Sequence, residues 1–446
     1  MTFALDRAQP ALQFIPPNYS PALRRVMQPL MPAWTAAKTE VADVDARNVE
    51  TLVNLYREFE AGKTRVLLAF RHPSTTDPYV LSHLLWQAVP QKAREMGLSL
   101  GPTHSHFLYD RGIPLWGGRY LGWLFSKLGG VPIQRGKLDI MALKTARQLL
   151  LDGRFPLAAA PEGGTNGHNE IVSPLEPGIA QLAFWCAGDL AEQNRDESVV
   201  ILPIGIQYRY VEEPWTALTA MISQLEADTG LGDPGELDLY GRLYRLAEHL
   251  LGVMERYYQD FYGVTFEAVE GGDEPNARLA TRLKALMDEA LKVAESYFGL
   301  RPKGAVIDRC RKLEQAGWDR IFREENMDLP PVELGMANRV AEEANLRMWH
   351  MRLVESFVAV TGRYVKERPS AERFAETTLL LHDMAAKLKG DMVAAPSLGK
   401  QKAFVTVGEP IRVDDRLGAY KAKRRRAIAT LTKDLQTAME SMILSE

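Results

Sequence analysis

Apolar positions along the chain fall into two spacings. Thr64 to Phe70 (TRVLLAF) and Val199 to Ile204 (VVILPI) are short uninterrupted β-rich runs, the pattern of strands buried on both faces. Segments near Ser105–Tyr109 and Phe155–Ala159 read the same way. Leu138–Leu151 and Ile179–Glu192 instead repeat apolar residues every three or four positions, which predicts helices packed by one face. Pro21–Trp34 and Arg47–Phe59 predict two more helices ahead of the first strand. This alternation predicts an α/β fold, a sandwich around a largely parallel or mixed sheet. Past residue 214 the helical spacing takes over, in Leu237–Tyr262, Ala277–Phe298, Val340–Val360 and Ala371–Lys389. Gly271-Gly272-Asp273-Glu274-Pro275 and Pro330-Pro331 punctuate these helices as turns. Lys402 to Val413 (KAFVTVGEPIRV) then predicts a returning strand, before a C-terminal helix running towards Leu444.

Composition narrows the picture. With 446 residues the chain exceeds one ordinary domain, and its apolar and charged fractions (46% and 25%) are those of a soluble globular protein. A net charge of −3 gives no reason to expect nucleic acid as a partner. The two cysteines, Cys186 and Cys310, are too far apart in sequence for a metal motif and fit a reduced setting without disulfides. No N-terminal segment has the pattern of a signal peptide, and no apolar run reaches the roughly 18 residues of a membrane-spanning helix. The expectation is therefore a cytoplasmic protein, peripheral on a membrane. Two segments suit contact with lipid. Ile113 to Leu128 (IPLWGGRYLGWLFSKL) mixes aromatic, leucine and basic residues, as interfacial segments and ordinary amphipathic helices both do. Lys421 to Arg426 (KAKRRR) is a basic cluster at the start of the C-terminal helix.

The chemistry-bearing stretch is His72-Pro73-Ser74-Thr75-Thr76-Asp77, in the expected strand-to-helix loop. Asp77-Pro78 reads as an N-cap followed by proline at the first helical position. A carboxylate there can fix the tautomer and orientation of the imidazole, which can then take a proton from a hydroxyl near neutral pH. In isolation such a pair reads more simply as a hydrogen-bonded loop histidine beside a helix cap. Three downstream segments change its weight: Gly129-Gly130-Val131-Pro132-Ile133-Gln134-Arg135, Ala160-Pro161-Glu162-Gly163-Gly164-Thr165-Asn166-Gly167, and Val199 to Ile204 with Pro203 near its end. His104 and His106 share a strand face, but without carboxylate or cysteine at ligand spacing they predict no metal site. Gly136-Lys137 lacks the first glycine and the closing Ser/Thr of a phosphate loop, and no G-x-S-x-G elbow is present.

Taken in order, these four segments resemble the blocks of the glycerolipid acyltransferase family, that of the lysophosphatidic acid acyltransferases. The blocks are a His-x4-Asp, a G-x-[IF]-x-I-x-R strand, an [FP]-P-E-G loop and an apolar strand ending in proline. Val131 stands where Ile or Phe is usual, and Ala160 precedes Pro161. The resemblance covers about residues 60 to 210 and resumes at the G-x-P-I of residues 408–411. It implies a layout of an N-terminal helical segment (1–62), an acyltransferase core (63–214), a helical insertion (215–395) and a closing strand and helix of the core (396–446).

The implied reaction moves a fatty acyl group from a thioester, acyl-CoA or acyl carrier protein, to a hydroxyl of a lysophospholipid or glycerol-phosphate-type acceptor. The resemblance assigns His72 as general base and Asp77 as its orienting partner. It assigns Arg135 to the acceptor phosphate, and Glu162, Gly163, Gly164, Thr165 and Asn166 to the acceptor loop. No cofactor is implied beyond the acyl thioester as co-substrate. Helix N-terminal amides beside Asp77 are candidates for holding the oxyanion. Where family members often carry an arginine two residues after the P-E-G glycine, this chain has Thr165-Asn166. That departure makes a neutral lipid alcohol a credible alternative acceptor. A non-catalytic lipid-binding or scaffolding protein on the same fold is the alternative from another class.

Overall fold

The computed structural model describes residues 6–134, 138–267, 274–323, 328–357, 363–391 and 396–444, apart from the side chains of Trp116 and Arg119. Arg135, Gly136 and Lys137, the glycines of the 271–275 turn and the end of the helix expected to reach Val360 lie outside these residues. The strands are β1 (Gln9–Pro10), β2 (Val41–Arg47), β3 (Thr64–Phe70), β4 (His106–Asp110), β5 (Gly130–Ile133), β6 (Leu157–Ala159), β7 (Ser198–Tyr210), β8 (Phe322–Arg323), β9 (Gln401–Val407) and β10 (Ile411–Arg412).

The chain is an α/β protein. Its main sheet runs in the order β2-β9-β7-β3-β6-β4-β5, with β10 also paired to β7. Strands β7, β3, β6, β4 and β5 are mutually parallel, whereas β9 runs antiparallel to β7 and carries β2 parallel to itself at the edge. Because β3, β6, β4 and β5 share a direction, the residues that follow them emerge along one edge of the sheet. In open α/β sheets the carboxyl ends of the strands are where ligands bind.

Apolar layers cover both faces of the sheet. Val66, Leu68 and Phe70 of β3 pack with Leu52, Tyr56, Val80 and Leu84 on one side. Leu67 and Ala69 pack on the other with Leu150, Phe184 and Leu431. That double burial explains why β3 reads as an uninterrupted apolar run. Pro203, which has no N–H to give, sits where the neighbour of β7 changes from β10 at Val200 and Ile201 to β9 from Ile204 onward. Its carbonyl accepts the Gly408 N–H at 2.9 Å, which fixes the crossing of the closing strand.

The helices of residues 215–391 gather around a core of their own that includes Leu246, Leu291, Leu313, Met348 and Leu381. Two of them, Trp215–Asp228 and Val306–Ile321, were not expected from the sequence. The parallel pairing of β1 with β8 ties the N-terminal segment to this helical unit.

Other local differences have simple causes. Residues 1–62 were read without a strand, but β2 is one. Its sequence VADVDAR is polar because it is an edge strand, and Asp43 and Asp45 pair with Lys402 of β9. Residues 113–128 form two helices, Ile113–Gly117 and Arg119–Lys127, broken at Gly118 with φ of +102°. Tyr120 and Trp123 of the second helix are exposed, whereas Phe125 packs edge-on against Phe107 and Tyr109. Among the described residues no helix is long and apolar enough to cross a membrane.

Candidate active site

β3 ends at Phe70, and the chain turns through Arg71 and His72 into a helix that begins at Asp77. Asp77 is thus the first helical residue rather than the N-cap, and Thr76 holds that position. Its carboxylate points back along the loop. Asp77 Oδ2 lies 2.7 Å from His72 Nδ1 and accepts the Ser74 N–H at 3.0 Å. Asp77 Oδ1 accepts the hydroxyl of Tyr208 at 2.5 Å. Asp77 is fully buried, while 23% of the His72 side chain is exposed. Burial pushes the Asp77 carboxyl above the usual range, against the pull of its donors from His72, Tyr208 and Ser74. His72 Nδ1 faces this carboxylate, and where Nδ1 is the donor the imidazole lone pair is on Nε2.

The amides near Asp77 are largely occupied within the turn. Those of Ser74, Thr76 and Asp77 bond to Asp77 Oδ2, Ser74 Oγ and the Ser74 carbonyl respectively. The oxyanion donors expected beside Asp77 are therefore not found among these three groups.

The loop after β6 is locked to the first one. Glu162 Oε1 accepts the backbone N–H of His72 at 2.8 Å, and Oε2 accepts Asn166 Nδ2 and the Ser173 N–H, both at 2.9 Å. Arg71, buried to 1% exposure, lies 3.7 Å from the same carboxylate and donates to the carbonyls of His168, Asn169 and Ile171. Asn166 also donates to the Ile171 carbonyl and Ser173 Oγ, so its amide organises the loop from within. Gly163 has φ of +71°, a backbone conformation that strains residues with a Cβ and favours glycine. Gly164 is half-buried and Thr165 exposed.

Residues 44–207, which contain this arrangement apart from Tyr208, match the family model described as Acyltransferase. This segment is an acyltransferase domain. No curated protein and no solved structure matches the chain.

Further along the same edge of the acyltransferase domain, the ends of β4 and β5 open into a cavity of about 420 Å³. Arg111, Gln134 and Asp139 line it from the sheet side, Leu12 from the N-terminal segment, and Trp318 and Phe322 from the helical unit. Asp139 caps the helix Ile140–Asp152 through the Ala142 N–H, accepts the Gln134 N–H and pairs with Arg111. Among the described residues that line the cavity, Arg111 is the one cation, and Asp139 pairs with it.

The histidines of β4 and its approach are internal. Nδ1 of His104 accepts Trp86 Nε1–H at 3.1 Å and its Nε2 lies 2.8 Å from the Leu128 carbonyl, with burial pushing the imidazole down to about 3.

Several residues at the site carried no signal in the sequence reading. Arg71 adjoins the histidine but belongs to none of the blocks. Tyr208 lies beyond the fourth block, on the same strand. The helical unit adds Arg311, which donates to the Gly163 carbonyl at 3.1 Å, and Glu376, which accepts both the N–H and Nδ2 of Asn169. Arg368 and Arg373 clamp Glu170. The loop after β6 is thus held from both sides, by Arg71 within the acyltransferase domain and by the helices of residues 306–389.

Proposed function

We propose that the protein is an O-acyltransferase that moves a fatty acyl group from a thioester, acyl-CoA or acyl carrier protein, to a hydroxyl of a lysophospholipid or glycerol-phosphate-type acceptor. The observation that carries the reading is the buried Asp77 bonded to a partly exposed His72 within a segment matching the acyltransferase family. His72 Nε2 takes the acceptor's hydroxyl proton as that oxygen attacks the thioester carbonyl carbon. The tetrahedral intermediate collapses with cleavage of the C–S bond, and the imidazolium returns the proton to the departing thiolate. Asp77 stabilises the imidazolium between these steps, so the substrate supplies the nucleophile and no acyl-enzyme forms. Arg135 is the proposed contact to an acceptor phosphate, and Thr165 and Gly164 lie where the acceptor loop meets solvent.

The loop itself offers no cation at Thr165-Asn166, and Arg111 in the neighbouring cavity is already paired with Asp139. These two facts favour, as a second reading, a neutral lipid alcohol whose polar part occupies that cavity. A membrane surface is the proposed source of either acceptor, met by the exposed Tyr120 and Trp123 and the exposed basic run Lys421–Arg426.

The test is transfer by the purified full chain, with labelled acyl-CoA or acyl carrier protein offered to a panel of phosphorylated and neutral lipid acceptors. A labelled ester that requires the protein supports the reading, and the acceptor that is used separates its two forms. Absence of any product from folded protein that still binds lipid vesicles would replace it with the scaffolding alternative.

A further inference from the structure

Tyr208 lies on β7, with its side chain only 3% exposed, and its hydroxyl donates to Asp77 Oδ1 at 2.5 Å across a separation of 131 residues. The other oxygen, Oδ2, serves His72 and the Ser74 amide. Tyr208 is itself held at the backbone, where its N–H donates to Asn169 Oδ1 at 2.7 Å. Asn169 is in turn held by Glu376 of the helical unit and by Arg71, which donates to its carbonyl.

We infer that Tyr208 is a positioning residue for the dyad, keeping Asp77 ionised and oriented so that neutral His72 carries its proton on Nδ1 and offers Nε2 as the base. The inference rests on the acyl-transfer reading for its consequence in turnover, but its physical content concerns Asp77 alone. A carboxylate excluded from water is stabilised chiefly by the donors it accepts. Three donors meet Asp77, and Tyr208 is the one that serves Oδ1. Burial and the neighbouring carboxylate hold the Tyr208 phenol well above its ordinary range, so the hydroxyl remains a donor at every pH at which the protein works. Without it Oδ1 loses the hydrogen bond that Tyr208 gives it, and the carboxyl gains by taking up a proton. A neutral carboxyl can donate to His72 Nδ1, which transfers the imidazole proton to Nε2 and removes the base. The hydroxyl thereby guards the tautomer, the property that a triad's aspartate supplies in hydrolases.

Tyr208→Phe keeps the ring and removes only the donor. The experiment compares full-length wild type and Tyr208→Phe, each labelled with ¹⁵N in histidine, by long-range ¹H–¹⁵N correlation across the neutral pH range, with His72→Ala used to assign the His72 resonances. Wild type is expected to show His72 as the Nδ1–H tautomer, and Tyr208→Phe a substantial Nε2–H fraction that grows as pH falls. In transfer assays kcat is expected to drop about tenfold or more with KM within about twofold, the acid limb of the pH profile moving to higher pH. On an Asp77→Asn background Tyr208→Phe is expected to add nothing further. An unchanged tautomer in Tyr208→Phe, folded as judged by its melting temperature, overturns the inference. So does an unchanged kcat in that variant when wild type turns over. Absence of transfer by wild type counts against the acyl-transfer reading instead, and the spectra still decide the role of Tyr208.

Discussion

His72 and Asp77 are bonded at 2.7 Å across the boundary between solvent and core, the imidazole partly exposed and the carboxylate wholly buried. An acid in that position cannot exchange its partners with water, so its orientation toward the imidazole is set by the fold. Asp77→Asn is close to the same shape but cannot keep the Nδ1–H tautomer as a carboxylate does. The expected result is a fall in kcat of roughly 10³-fold or more with little change in KM, measured by steady-state transfer. A change confined to KM would place Asp77 in substrate binding instead.

Glu162 ties the His72 amide to the loop after β6 and has no polar contact to spare among those described. Glu162→Gln replaces one acceptor oxygen by a donor facing Asn166 Nδ2 and the Ser173 amide. Stability is expected to fall by about 1–3 kcal/mol, with a lower kcat because His72 loses its anchor. Denaturant melts and transfer rates on one preparation check both.

Glu376 is buried, and its carboxyl is pushed from 4.5 up to about 7 by burial, opposed by donors from Tyr364 and Asn169. A raised carboxyl pKa means that the folded state holds its proton after the unfolded chain has released it. This group's contribution to stability is therefore fullest below pH 4.5, declines as pH rises to about 7, and is level above that. The difference corresponds to roughly 3 kcal/mol. Glu376→Gln, which mimics the protonated form, is expected to flatten that decline and to melt at higher temperature than wild type above pH 7. Parallel melting curves from pH 4.5 to 8 would contradict this.

Trp318 brings an aromatic wall from the helical unit to the cavity at the ends of β4 and β5. If the polar part of the acceptor lies there, Trp318→Ala should raise the acceptor KM about fivefold or more and leave the thioester KM unchanged. Equal effects on both substrates would move the acceptor elsewhere.

The four blocks were legible because each is local: a buried strand, a turn and a helix start or loop, written in consecutive residues. The returning strand was legible for the same reason, since Lys402 to Val407 alternates and is followed by Gly408 and Pro410. β2 was not, because an edge strand with two aspartates lacks the apolar run that marks its buried neighbours. The break at Gly118 was masked by amphipathic spacing that continues through both short helices. Tyr208, Arg311 and Glu376 could not be found locally, because each acquires its meaning from a partner more than a hundred residues away. Within the candidate site, then, the His72–Asp77 pair was readable and the groups that hold it were not. Those groups are supplied by tertiary contacts, several of them from the helical unit between β7 and β9.

The most direct measurement is the rate of acyl transfer by His72→Ala beside wild type, with melting temperatures taken on the same samples. A general base predicts a loss of about 10²-fold or more in kcat from a variant that melts with wild type, since His72 is partly exposed and its ring supports little of the core. Transfer at a near wild-type rate by folded His72→Ala would contradict the central assignment.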